Sequence, residues 1–216
     1  EQAKALTGIR RRALDETMES FRQHGAELPA EKKARLEQIE SELSGLTQKY
    51  SENVLDSTNA WDLVIDDPER LKGLPQSAID AARQDAEAKG HGTADSPKYR
   101  FTLKAPSLIP VLEYLEDEDI RHQVWLASTR IGNNEVHDNT PLVWQILALR
   151  HEKAQLLGQP HFADQVLQQR MARTGSAALK FIDDLHERIR PAFDKETIQL
   201  QEFRAEHSGK RADLLE

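Results

Sequence analysis

A single apolar stripe constrains this chain more than any other feature. Leu36, Ile39, Leu43, Leu46, Tyr50 and Val54 follow one another at steps of 3, 4, 3, 4 and 4, the spacing that gathers side chains on one face of an α-helix. Pro29 stands just ahead of them, where a first-turn proline is tolerated because its missing N–H would have no helical partner anyway. The predicted helix is about 28 residues long, near 42 Å at about 1.5 Å per residue. Before it, Ile9, Ala13, Leu14, Met18 and Phe21 recur at helical spacing, and Gly25 offers a C-terminal stop. The two segments predict an antiparallel long-helix hairpin over residues 1–58.

The period then changes from helix to strand. Trp61, Leu63 and Ile65 alternate with Asp62, Val64 and Asp66 up to Asp67-Pro68, and Tyr99, Phe101 and Leu103 alternate within 99–104, between Pro97 and Pro106. Two strands make one small antiparallel β-ribbon that needs helices to pack on. Between them Pro75–Lys89 reads as an Ala-rich amphipathic helix ending at Gly90, followed by a polar loop, so 59–105 is a ribbon carrying an inserted helix. From 106 to 214 a helical bundle is expected. Its pieces are Leu108–Leu115, a helix opening at Glu116–Asp119 and running to Gly132, one capped by Asn139 or Thr140 with Pro141 just inside it, a short helix His161–Arg170, and a long one Ser176–His207. The fold class is mainly α, with that one ribbon.

Composition agrees. Apolar residues make up 38% and charged residues 31%, wetter than the usual globular averages of about 45–50% and 25%. That balance suits long helices with one apolar stripe and a solvated back. The formal charge of −8 lacks the basic footprint of a nucleic-acid binder. The absence of cysteine excludes disulfides, thiolate metal sites and a cysteine nucleophile. No apolar run approaches the roughly 18 residues of a membrane span. A soluble, cytoplasmic protein with neither nucleic acid nor membrane as partner is expected.

Candidate chemistry is sparse. His151-Glu152 and His186-Glu187 are His-Glu pairs on predicted helices, the opening of the zinc-peptidase motif. That motif needs a second His four residues on, so that one helical turn brings two imidazoles to one metal. Position 155 is Gln and position 190 is Arg, so neither pair completes it. His122, His137 and His161 are scattered without carboxylates at ligand spacing. Asp117 and Asp119 read as helix-start charge, Asp138-Asn139 as a helix cap, Asp66-Asp67 as turn chemistry, and Arg10-Arg11-Arg12 as too short a basic run for nucleic acid. No phosphate-cradling glycine loop and no serine elbow is present. The residues alone describe a helical scaffold with catalytic residues: none, metal ligands: none, and substrate-binding residues unknown.

Three stretches add a resemblance. They are Tyr50-Ser-Glu-Asn-Val-Leu-Asp-Ser-Thr-Asn-Ala-Trp61 with Leu71-Lys-Gly-Leu-Pro75; Phe101-Thr-Leu-Lys-Ala-Pro-Ser107 running into Tyr114 and Arg121; and Asp138-Asn139 with Ile146-Leu-Ala-Leu-Arg-His-Glu-Lys-Ala-Gln-Leu-Leu-Gly158, Ala163 and Met171-Ala172. In this order and spacing, over essentially the whole chain, the sequence resembles the N-terminal half of the thimet oligopeptidase family, nearest its bacterial oligopeptidase A branch. The resemblance implies a zinc metallopeptidase that cuts short, unstructured peptides in a deep channel between two largely helical halves. It also implies that the His-Glu-x-x-His motif and the third zinc ligand lie in the catalytic half, beyond this part of the pattern, so that zinc belongs to the full-length parent and none is bound here. The polar loop 90–98 is longer than the family's usual one.

The ends invite a matching expectation. Residue 1 is Glu, the helical pattern already runs from Glu1 to Arg12, and Leu215-Glu216 reads as a candidate cloning remnant. The chain is therefore expected to be the N-terminal helical region, 1–216, of a larger two-lobed peptidase, inactive on its own and exposing an apolar surface that would face the missing C-terminal catalytic region. The alternative is a non-catalytic helical protein-interaction module.

Overall fold

The structure, a computed structural model, describes residues 6–209. It divides into two units, one made of Glu37–Leu149 and the other of the residues up to Leu36 together with those from Arg150 onward. Eight α-helices and one two-stranded sheet occur among the described residues, so the mainly α reading with one small ribbon is correct. Helices α2 (Ala30–Ala60) and α6 (Thr140–Leu156) each cross the division.

In the first unit the sequence alternation becomes the centre of the core. Strands β1 (Asp62–Ile65) and β2 (Tyr99–Thr102) pair antiparallel with Asp62 opposite Thr102, Leu63 opposite Phe101 and Ile65 opposite Tyr99. The register puts Leu63, Ile65, Tyr99 and Phe101 on one face and Val64 on the other with Arg100, because side chains repeat every second residue. Ile65, Tyr99 and Phe101 are buried there with Leu71, Leu74 and Leu115, and with Ala82, Val111, Ile120 and Val124 from three helices. Those helices are α3 (Gln76–Ala88), α4 (Ala105–Tyr114) and α5 (Glu118–Thr129). Ala82 and Ala86 of α3 are buried, and their small side chains let α3 lie close on β2. On the sheet's other face the Arg100 guanidinium, 12% exposed, is clamped between Asp62 and Asp85.

Helix boundaries follow their caps. Gly25 and Gly90 both adopt positive φ, 81° and 76°. At each, the N–H of the next residue reaches back to a carbonyl one turn inside the helix: Ala26 to Phe21 and His91 to Ala86, the closure that a C-terminal glycine permits. A β-carbon on Gly25 would lie 2.6 Å from Leu36 Cδ2, a side-chain end that would have to shift, so φ is the stronger reason for glycine here.

Four boundaries differ from expectation. Helix α1 (Gly8–Gln23) begins at Gly8, not Glu1: Thr7 is extended at φ −132°, and the part of the expectation on residues 1–5 lies outside the described residues, as do the expectations for 210–216. The α4 helix begins at Ala105, three residues before the expected Leu108, because Pro106 occupies its first turn rather than only bounding the strand before it. A short 3-10 helix, Pro68–Leu71, opened by the Asp67 carboxylate accepting from the Glu69 N–H at 2.9 Å, went unread. Helix α7 covers only Phe162–Leu167; Arg173 at φ 64° then turns the chain into α8 (Gly175–Ser208).

In the second unit, Thr174 Oγ1 caps α8 by accepting from the Ala177 N–H, and Asp164 accepts from the Gly175 N–H at 2.8 Å. These contacts fasten the start of a 34-residue helix about 51 Å long at about 1.5 Å per residue. Beyond them α8 is largely exposed: Ile182, Leu185, Ile189 and Phe193, one helical stripe, all face solvent.

Candidate functional site

Of the two His-Glu pairs, His151-Glu152 is tied to another element through its carboxylate. The Glu152 carboxylate is gripped by Arg35 through two parallel hydrogen bonds, Nε to Oε1 at 2.6 Å and Nη2 to Oε2 at 2.7 Å, the fork geometry that makes arginine the preferred carboxylate partner. Arg35's hydrogen bond holds the Glu152 carboxyl below its ordinary value. That carboxylate is already paired with a cation. His186-Glu187 lies on exposed α8, where Arg190 pairs with Asp194 at 3.6 Å.

The remaining candidates disperse. His122 stacks on Trp125 with ring centroids 5.9 Å apart. His137 sits in the loop before α6, its N–H donating to Asn134 Oδ1. His161 takes the N-cap position of α7 without a side-chain bond. Asp67 opens the 3-10 helix as described, and Asp66 and Asp119 join no site. Arg11 and Arg12 pair with Asp15 and Glu16 one turn on. Among the described residues no group of three or more histidines, aspartates or glutamates is placed to hold a metal ion. The described residues therefore do not fit a zinc site.

Asp117 does what its position implies. Its side chain accepts from the Ile120 N–H at 3.0 Å and binds Arg70 at 2.8 Å. The Arg70 hydrogen bond, opposed by burial and reinforced by the Ile120 N–H, lowers the Asp117 carboxyl below its ordinary value. A depressed carboxyl supplies stability that is complete above the unfolded value of about 3.9 and is lost as pH falls through the folded value. Asp117→Asn is therefore expected to unfold at lower urea than the wild type at neutral pH and to converge with it as pH falls through the folded value, because the protonated wild type has lost the same contact. A constant gap between the two at every pH would contradict this assignment.

What the sequence reading missed is a buried polar cluster between α2 and the loop before α6. Asn53 donates to Asn139 Oδ1 at 2.8 Å, and Asn139 Nδ2 donates to the Tyr50 carbonyl at 3.2 Å. Ser57 Oγ accepts from the Gly132 N–H at 3.1 Å and from Asn134 Nδ2 at 2.7 Å. Asn53, Ser57 and Asn139 are all buried. Only the first half of the predicted cap survives here: Asp138 accepts from the Thr140 N–H at 2.8 Å, whereas the Asn139 side chain fastens the loop to α2. Asn139→Ala leaves the Asn53 amide buried without a partner, and a loss of about 1–3 kcal/mol of unfolding free energy is expected by urea titration. The double change Asn53→Ala, Asn139→Ala should cost less than the sum of the two single changes.

A cleft of about 490 Å3 is walled by the end of α2, α3, β2 and the start of α4; Asp85, Lys89, Arg100 and Lys104 line it with Thr58 and Ser107. It holds no histidine, and Ser107 Oγ is taken up by the Thr102 N–H at 2.9 Å. No activated nucleophile is assembled there.

Comparison with known proteins gives these surfaces a context. The sequence profile of peptidase family M3 matches residues 111–215. Oligopeptidase A of Salmonella typhimurium is 39% identical over 203 residues, which is 92% of this chain and 29% of that protein. Oligopeptidase A of Escherichia coli is 38% identical over the same share of each, and the probable cytosolic oligopeptidase A of Arabidopsis thaliana is 34% identical over 217 residues, 98% of this chain and 30% of that protein. The chain thus spans under a third of the length of the relatives it matches.

Proposed function

Since this chain belongs to peptidase family M3, we propose that it is the N-terminal part of a zinc-dependent oligopeptidase of the cytoplasm and forms one wall of the channel that short, unstructured peptides enter. The observation that carries this reading is a proportion: identity at 39% runs along 92% of this chain but covers 29% of the relative. The zinc ligands and the group that activates water would then belong to polypeptide outside these 216 residues. The wall's own task is to restrict access by shape and to keep bulk water from the reacting carbonyl.

Two further features support the reading. The Arg35–Glu152 grip leaves the likeliest-looking His-Glu pair with a structural task. The exposed stripe Ile182, Leu185, Ile189 and Phe193 on α8 is an apolar face of the kind that marks an awaited partner, here the remaining polypeptide of the enzyme. Metal analysis of this chain after exposure to zinc and desalting tests the division of labour. The reading predicts far less than one zinc per chain; one equivalent retained and removed only by a chelator would contradict it.

A further inference from the structure

Helix α8 carries its exposed apolar residues in an arrangement that reads alike from either end. Counting outward from Pro191, they stand in matched pairs: Ile189 and Phe193 at two residues, Ile182 and Leu200 at nine, Leu179 and Phe203 at twelve. These six side chains are 51–65% exposed. Glu196 interrupts the stripe, three residues after Phe193 and four before Leu200. It too has a counterpart at equal distance, His186, five residues to the other side of Pro191. Pro191 itself lies two and a half turns from Ile182 and so on the side of the helix away from the stripe, where its ring obstructs nothing.

We propose that this face pairs with the same face of a second copy of this chain, the two α8 helices running antiparallel about a two-fold axis at Pro191. A two-fold interface sets each residue of a patch against its counterpart on the other copy, and here the counterparts fit. Ile182 meets Leu200, Ile189 meets Phe193, Leu179 meets Phe203, and the one carboxylate in the stripe meets a histidine that can donate to it. Charges beside the stripe agree: Lys180 stands level with the second copy's Glu202, Glu187 with its Lys195 and Arg188 with its Asp194, each pair of opposite sign. Parallel pairing would set every one of these charges level with its like, and Glu196 against Glu196, so charge chooses the direction. The area is of the right order. At about 100 Å2 exposed per side chain, the six offer roughly 600 Å2 per copy before Leu185 and the flanking stems are counted, against the about 800 Å2 that each partner gives to a standard interface. The pairing rests on the sequence and exposure of α8 and not on the peptidase reading; polypeptide that covers α8 in a longer gene product would take the second copy's place.

Sedimentation velocity of this chain from about 1 to 200 µM tests the proposal, because a dimer's share rises with concentration. The expected result is a species of two chains that dominates at the upper end and gives way to single chains on dilution. Ile189→Glu, at an exposed site, sets a charge against Phe193 and should weaken association at least tenfold in a chain whose circular dichroism is unchanged. His186→Glu brings two carboxylates together and should weaken it at least fivefold; adding Glu196→Lys should restore it to within about twofold of the wild type, a rescue that the antiparallel register gives and a parallel one does not. Should Ile189→Glu alter the fold, the charge exchange decides alone. Single chains throughout the range, assemblies beyond two chains, indifference of a folded Ile189→Glu or of His186→Glu, or no rescue by the exchange would each overturn the proposal. None of these outcomes reads turnover, so the peptidase reading stands or falls separately.

Discussion

Phe101→Ala is expected to lower the unfolding free energy by about 3–5 kcal/mol, the usual cost of emptying a buried phenylalanine site. Against a total stability of roughly 5–15 kcal/mol that is enough to leave much of the chain unfolded at modest denaturant. The reason lies in where the ring sits. Phe101 is 2% exposed and is packed in the cluster that joins the ribbon to α3, α4 and α5. Opposite it on β1 stands Leu63, itself only half-buried, so the hole cannot be filled from across the strand pair. Phe101→Leu keeps most of the volume and should cost less than half as much. Trp144→Ala, at a site 68% exposed, should stay within about 0.5 kcal/mol of the wild type. Guanidinium titration followed by tryptophan fluorescence measures all three, and a Phe101→Ala loss below about 1 kcal/mol would mean the ribbon is not the core's centre.

Gly73→Ala is expected to cost roughly 3 kcal/mol although it adds a single methyl group. Two penalties combine. The residue adopts φ 90°, where a β-carbon brings strain of about 1–2 kcal/mol. That β-carbon would also lie 2.1 Å from the Tyr114 carbonyl oxygen, and forcing extra volume into a packed site costs typically 1–3 kcal/mol. The obstruction is backbone, and it is pinned: the neighbouring Glu116 N–H donates to the Lys72 carbonyl at 2.9 Å, tying the end of α4 to the same turn. Gly158→Ala is the control, since its φ of 75° imposes similar strain while its β-carbon meets nothing within 4 Å. Thermal unfolding should place Gly73→Ala well below Gly158→Ala; equal midpoints would show that the close approach to Tyr114 carries no weight.

Much of this architecture is legible in the residues because it is local. The helices were read from 3.6-residue periodicity and glycine stops, and the ribbon from two alternations whose apolar members share one face in the observed register. The misreadings have specific causes. The apolar stripe predicts Val54 as its last member on α2, but the buried positions beyond Tyr50 are Asn53 and Ser57, which continue the steps of 3 and 4 with polar residues. A search for apolar residues steps over them; polar residues in phase with a stripe were the available signal. Their partners lie 86 and 75 residues away, and Arg35 lies 117 residues from Glu152, so no local pattern announces either contact. Pro106 was misread because proline both ends strands and begins helices, and only the fold decides which.

The same distinction governs function. Spacing disposes of a complete two-histidine site, and the structure adds that the one promising glutamate is held by arginine. Kinship with oligopeptidases of which this chain spans under a third supports a channel wall whose chemistry is supplied by other polypeptide. The most direct measurement compares this chain with the product of the whole gene in which its sequence lies, using an internally quenched peptide of about ten residues with and without a zinc chelator. The account predicts chelator-sensitive cleavage by the whole product and none above background by the 216-residue chain. Chelator-sensitive cleavage by this chain alone, or none by the whole product, would contradict it.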